Sequence, residues 1–157
     1  MARKVWFDSL KCPYCGSKAV LRDSTFVHPN ARKTGDKVWV CSEYPRCDSY
    51  VGCHSKTTIP LGRLANKELR ELRKRAHQSF DPIWQSGLVS RKEAYAWLCD
   101  MLGLTYNSCH LALFGEDQCK KVIELCEKQT NELILDYKHK HGIKPRKLAK
   151  HKRRRKR

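Results

Sequence analysis

The spacing of apolar and polar residues changes character near residue 60. Ahead of that point the apolar residues come in short β-rich runs, Lys18-Ala-Val-Leu-Arg22 and Lys37-Val-Trp-Val-Cys41. These fit the two sides of a hairpin, with Ser49-Tyr-Val-Gly-Cys53 adding a third strand. Between the first two, His28-Pro-Asn-Ala-Arg-Lys-Thr-Gly-Asp36 has the chemistry of a loop.

Helical spacing begins at Asn66, a candidate N-cap, with Leu69, Leu72, Ala76 and Phe80 on one face and Lys67, Arg70, Arg73, Lys74 and Arg75 on the others. Asp81-Pro82 reads as a fresh cap with proline at the first helical position, opening a short turn to Ser86 that ends at Gly87. Ser90-Arg-Lys-Glu93 is a capping box. It opens a helix whose apolar face is Ala94, Tyr95, Trp97, Leu98, Met101 and Leu102, closed by Gly103. A last helix is expected from Glu116-Asp117 to Gly142. Its stripe of Cys119, Val122, Ile123, Cys126, Leu133, Ile134 and Tyr137 is broken only near Gln129-Thr130.

Cysteine spacing adds a metal to this outline. Cys12-Pro13-Tyr14-Cys15 and Cys41-Ser-Glu-Tyr-Pro-Arg-Cys47 together read as C-x2-C-x25-C-x5-C. Four thiolates from two tight turns complete a tetrahedral zinc shell, and Gly16 and Pro45 suit such turns. The other readings are disulfides or buried cysteines without a ligand role. Nine cysteines is an odd number, and the start Met-Ala-Arg-Lys-Val-Trp-Phe-Asp lacks the apolar run of a secretory signal. Both favour metal over bridges, in a cytoplasmic protein. Cys47 is the better fourth ligand because of its Tyr-Pro-x-Cys turn, with Cys53-His54 as the alternative. Cys99, Cys109, His110, Cys119 and Cys126 lack knuckle spacing and read mainly as buried or packed side chains. His77, beside Ala76 and Phe80, reads as a packed or capping histidine.

The expected fold class is therefore α+β: a small four-cysteine zinc ribbon (residues 1–60) holding one structural Zn²⁺, a small helical domain (61–142) and a disordered basic tail (143–157).

Charge then points to a partner. The 157-residue chain carries a formal net charge of +17. No acidic residue follows Asp136, and twelve of the twenty residues from Lys138 to Arg157 are Lys or Arg. Such a tail cannot collapse on itself and seeks a polyanion. Its expected phosphate contacts are Arg146, Lys147, Lys150, Lys152, Arg153, Arg154, Arg155, Lys156 and Arg157. No apolar anchor accompanies them, so no membrane partner is expected, and nothing marks a small-molecule substrate. In the ribbon, Trp6, Phe7, Tyr14, Trp39, Tyr44 and Tyr50 alternate with Arg3, Lys4, Lys11, Lys18, Lys37 and Arg46. Interleaved rings and cations suit stacking on unpaired bases. Tyr14, Lys37, Trp39 and Arg46 are the candidate contacts. If Val38 and Val40 pack inward, strand alternation turns Trp39 outward beside Lys37. The competing reading has Trp39 covering the metal site.

Residues 10–53, through Cys-Pro-x-Cys-Gly and Cys-Ser-x-Tyr-Pro-x-Cys, resemble the C-terminal zinc ribbons of type IA DNA topoisomerases. The loop between the half-sites is longer here. The resemblance implies single-stranded DNA binding; the topoisomerase catalytic domain is absent. The wider chain, about residues 10 to 127, is similar to a phage and prophage family of zinc-finger-containing domains. Cys53-His54, Pro60–Asn66, Arg73–His77, Phe80–Trp84 and Ser90–Trp97 carry that likeness, and His110 and Cys119 extend it. It implies phage origin and action in the host-cell cytoplasm, without an assigned activity.

No catalytic constellation stands out, and no enzyme is expected. The expected function is nucleic-acid binding, DNA favoured over RNA, with preference for single-stranded or distorted DNA in replication, recombination or regulation. One alternative is a module that binds and inhibits a host or defence nucleoprotein. The other is a metal-dependent nuclease using His54, His77, Asp81 or His110.

Overall fold

The computed structural model describes residues 10–29, 36–87, 89–127 and 130–142. The basic residues from 143 onward, with Arg3, Lys4, Trp6 and Phe7, lie outside them. The fold is α+β. Strands β1 (Ala19–Asp23), β2 (Lys37–Cys41) and β3 (Tyr50–Gly52) form an antiparallel sheet in that order. Helices α1 (Lys67–Gln85), α2 (Arg91–Leu102), α3 (Glu116–Glu127) and α4 (Thr130–Lys140) follow. The chain divides into two compact units, residues 1–71 and 72–157, with the division inside α1.

In the first unit β2 is central. Its register sets Cys41 opposite Ala19 and Trp39 opposite both Leu21 and Val51, so these side chains share one face. That face holds a small core of Cys12, Cys41, Val51 and Leu64, against which Leu10, Ala19, Trp39 and Cys47 pack. Val38 and Val40, on the opposite face, are also buried. The first turn of α1 is tied to this unit. Asn66 Oδ1 accepts the Leu69 amide at 2.9 Å, the N-cap its type favours, and Asp48 Oδ2 accepts the Lys67 amide at 2.9 Å. Arg70 donates to the Asp48 carbonyl at 2.7 Å and lies over the Tyr50 ring at 3.8 Å.

The second unit has an ordinary apolar core. Ala76, Phe80, Trp97, Leu98, Leu111, Phe114, Cys119 and Val122 are each at most 1% exposed. Ser90 caps α2 as expected: its side chain accepts the Glu93 amide, and the Glu93 carboxylate accepts the Ser90 amide. Gly103 ends the helix at φ +63°, where a Cβ would be strained. Lys138 of α4 is buried and its Nζ lies 3.9 Å from Glu93 Oε1.

One helical expectation is corrected. Pro82 does not open a new turn; it lies within α1, which runs unbroken to Gln85. Proline removes one helical hydrogen bond, but buried Phe80 and Ile83 anchor the helix on either side, and the Ser86 amide reaches the Pro82 carbonyl at 2.9 Å. The expected last helix is described as two stretches, α3 up to Glu127 and α4 from Thr130. No helix among the described residues is long and apolar enough to cross a membrane.

Candidate metal centre and its surroundings

Each half-site is a knuckle closed by backbone hydrogen bonds. In the first, the Gly16 amide donates to the Cys12 carbonyl at 3.0 Å and the Cys12 amide to the Ser17 carbonyl at 2.8 Å. Gly16 sits at φ +75°, a conformation glycine adopts freely. In the second, the Tyr44 amide donates to the Cys41 carbonyl at 3.1 Å and the Cys47 amide to the Glu43 carbonyl at 3.0 Å. The Ser42 amide donates to the Lys18 carbonyl at 2.9 Å, tying one knuckle to the other.

These turns bring together Cys12, Cys15, Cys41 and Cys47, whose sulfurs all lie within 4.8 Å of one another. Cys12 Sγ is 3.5 Å from Cys47 Sγ, and Cys15 Sγ is 3.3 Å from Cys41 Sγ. A tetrahedron with Zn–S bonds of about 2.3 Å has edges of about 3.8 Å, so the donor set fits Zn²⁺ in type, number and size. Four protein ligands leave no open coordination position, which makes the ion structural rather than catalytic. Cys53 is not in the set. It pairs across an isolated bridge with Pro60, and burial pushes its thiol pKa up.

The four thiols differ in their surroundings. Hydrogen bonds from the Ser17 side chain and backbone hold Cys15 down at about 6. Burial pushes Cys41 up to about 12. Burial also acts upward on Cys12, but hydrogen bonds from Ser49 and the Tyr14 and Cys15 amides outweigh it and leave the pKa below that of a free thiol. Ser49 is the residue that sequence reasoning missed. It is fully buried, with Oγ 2.9 Å from Cys12 Sγ and 3.3 Å from Cys47 Sγ, and so serves two ligands from behind. A serine two places after a cysteine carries no distinguishing signal.

Among the described residues no other group of three or more His, Cys, Asp and Glu side chains brings its ligand atoms this close. Cys99, Cys109 and Cys119 are buried, and burial pushes Cys109 up to about 12. His54 heads a turn in which its amide donates to the Ile59 carbonyl at 2.8 Å.

The candidate nucleic-acid contacts have distinct settings. Tyr14 is exposed in the first knuckle. Lys37 Nζ is 2.6 Å from Asp23 Oδ1. Arg46 is well exposed and pairs with Glu43. Trp39 does not stand outward: it is half-buried against the core that contains Cys12 and Cys41, and its Nε1 donates to the Thr58 carbonyl at 2.8 Å. The reason is that the face opposite Val38 and Val40 carries the core beside the metal site, so Trp39 packs against that core and stays only partly exposed. Tyr50 is overlain by Arg70, and its ring meets His28 edge-on at 5.5 Å. Among the described ribbon residues the open rings are Tyr14 and Phe26, the latter 49% exposed. Phe26 follows β1 in a single 3-10 turn, Ser24–Phe26. Its ring centroid is 5.5 Å from that of Tyr44, and the Arg22 guanidinium is 5.9 Å from it.

Fold and site define a four-cysteine zinc-binding protein with one structural Zn²⁺. The chain belongs to a family of zinc-finger-containing domains, whose model matches residues 8–129. No curated protein and no solved structure matches the chain.

Proposed function

We propose that this protein binds nucleic acid through its zinc ribbon, preferring single-stranded or distorted DNA, and acts by binding rather than by catalysis in phage replication, recombination or regulation. The observation that carries this reading is the Phe26–Tyr44 ring pair on the ribbon surface, with Arg22 beside Phe26 and Arg46 two residues after Tyr44. An open ring offers a flat face to an unpaired base, and a neighbouring guanidinium neutralises phosphate. Zinc contributes by fixing the Cys41–Cys47 loop that carries Tyr44. The basic residues from Lys144 to Arg157 add sequence-independent attraction that salt weakens.

The test is fluorescence anisotropy with oligo-dT and with a duplex of the same length. Stacking is worth roughly 1–3 kcal/mol per base, so Phe26→Ala weakens single-strand binding by about five- to a hundredfold and duplex binding far less. Phe26→Trp retains the affinity. Wild-type protein that fails to bind either oligonucleotide at low salt would sink the reading.

A further inference from the structure

The helical unit carries a polar cluster that the zinc ribbon does not use. On α1, His77 Nδ1 lies 3.5 Å from the Asp81 carboxylate, and Trp84 Nε1 donates to Asp81 Oδ1 at 3.3 Å. Arg91, at the start of α2, places its guanidinium 5.8 Å from the centre of the Trp84 ring and 5.0 Å from that of Tyr95. The Tyr95 ring centroid lies 6.4 Å from that of His110. An unbroken series of contacts thus joins His77 to His110 through three segments of chain.

The chemistry of the cluster is that of an anion receptor. Arg91 is exposed, and among the described residues no carboxylate pairs with it. Glu93, the nearest acid in sequence, caps α2 and faces Lys138 instead. The Trp84 and Tyr95 rings flank the guanidinium and the Tyr95 side chain hydrogen-bonds it, which limits its freedom, while its other N–H groups can meet an oxyanion. Asp81 is engaged by Trp84 and His77. In its charged form His77 keeps Nδ1–H on Asp81 and donates from Nε2, and its side chain is 44% exposed. His110 is exposed as well. A metal is less well served, because the cluster offers one carboxylate and no three ligand atoms close together.

We infer that His77, Arg91 and His110 form a binding site for a phosphate group, such as a nucleic-acid strand offers along its backbone or at a phosphorylated end. None of these residues belongs to the unit that carries Phe26, so substitution of Phe26 changes no member of the site.

Inorganic phosphate, titrated into the zinc-loaded full chain near pH 6, where imidazole is largely charged, is the first probe. The imidazole ¹⁵N resonances of His77 and His110 shift together and saturably. In Arg91→Ala the shifts vanish while the amide spectrum stays folded; Arg91→Lys keeps the charge without the planar fork and recovers only part of the affinity. Resonances that do not move, or that move equally in Arg91→Ala, overturn the site. Oligo-dT with and without a 5′-phosphate then separates the sources. A loss of roughly tenfold or more in Arg91→Ala, of the size expected for charge-assisted hydrogen bonds, for both strands assigns the site to backbone phosphate. The same loss for the phosphorylated strand alone assigns it to strand ends. No loss for either overturns the nucleic-acid assignment, and it does so without bearing on the Phe26 test.

Discussion

The ribbon and the helical unit are organised around different sources of order. The helical unit buries Phe80, Trp97 and Phe114 completely, with Leu98, Leu111 and Val122 among them. Among the described residues the ribbon's cluster at the metal is Cys12, Cys41, Val51 and Leu64, two of which are metal ligands, with the small side chains of Val38 and Val40 buried on the opposite face of the sheet. A short chain cannot bury enough apolar surface to offset its conformational entropy, and a bound metal supplies the difference. The contrast teaches that the two units have separable failure modes: one is sensitive to sulfur chemistry, the other to packing volume.

Cys41→Ser breaks the comparison most sharply. Structural zinc in small fingers is worth roughly 10–16 kcal/mol of apparent binding energy, so losing one ligand disorders the ribbon. Amide spectra should collapse for β1–β3 and persist for α2 and α3, with zinc content near zero by atomic absorption. Collapse of both sets would show that the units do not fold separately.

Trp97→Ala is the mirror experiment. Emptying a fully buried tryptophan site costs about 3–5 kcal/mol, a large part of the 5–15 kcal/mol that holds a typical domain. Helical circular dichroism should melt at markedly lower temperature while zinc stoichiometry stays at one. Zinc loss in this variant would contradict the division.

Ser49→Ala sharpens the contrast with a smaller change. It removes the hydroxyl behind Cys12 and Cys47 and leaves all four ligands in place. Residues that support metal ligands in this way typically contribute 10- to 100-fold to metal affinity. Competition with a chromophoric chelator should show a loss in that range, with the helical melting temperature unmoved. An unchanged affinity would mean that Ser49 merely fills space.

What the sequence could tell follows from which interactions are local. The knuckles, the Asn66 and Ser90 caps and Gly103 are specified by residues a few positions apart, so spacing alone finds them. Pro82 misled because a local rule, proline at a helix start, met the non-local anchoring of Phe80 and Ile83. Trp39 misled differently. Alternation correctly separates it from Val38 and Val40, but alternation also sets it on the face of Cys41, two residues on, where it packs against the core beside the metal site. The Phe26–Tyr44 pair joins residues eighteen positions apart, one between the half-sites and one within the second, and no period in the chain foretells it. The same holds for the contacts that link His77, Arg91 and His110.

The loop that carries Tyr44 begins and ends at metal ligands, Cys41 and Cys47. On the proposed reading this couples two equilibria. If zinc strengthens strand binding by holding Tyr44 beside Phe26, then a bound strand must tighten zinc by the same factor, because linkage is reciprocal. Strand-bound protein would thus give up its metal to a chelator more reluctantly than free protein does. Metal retention would then report on whether the surface is occupied, with no label attached to either partner.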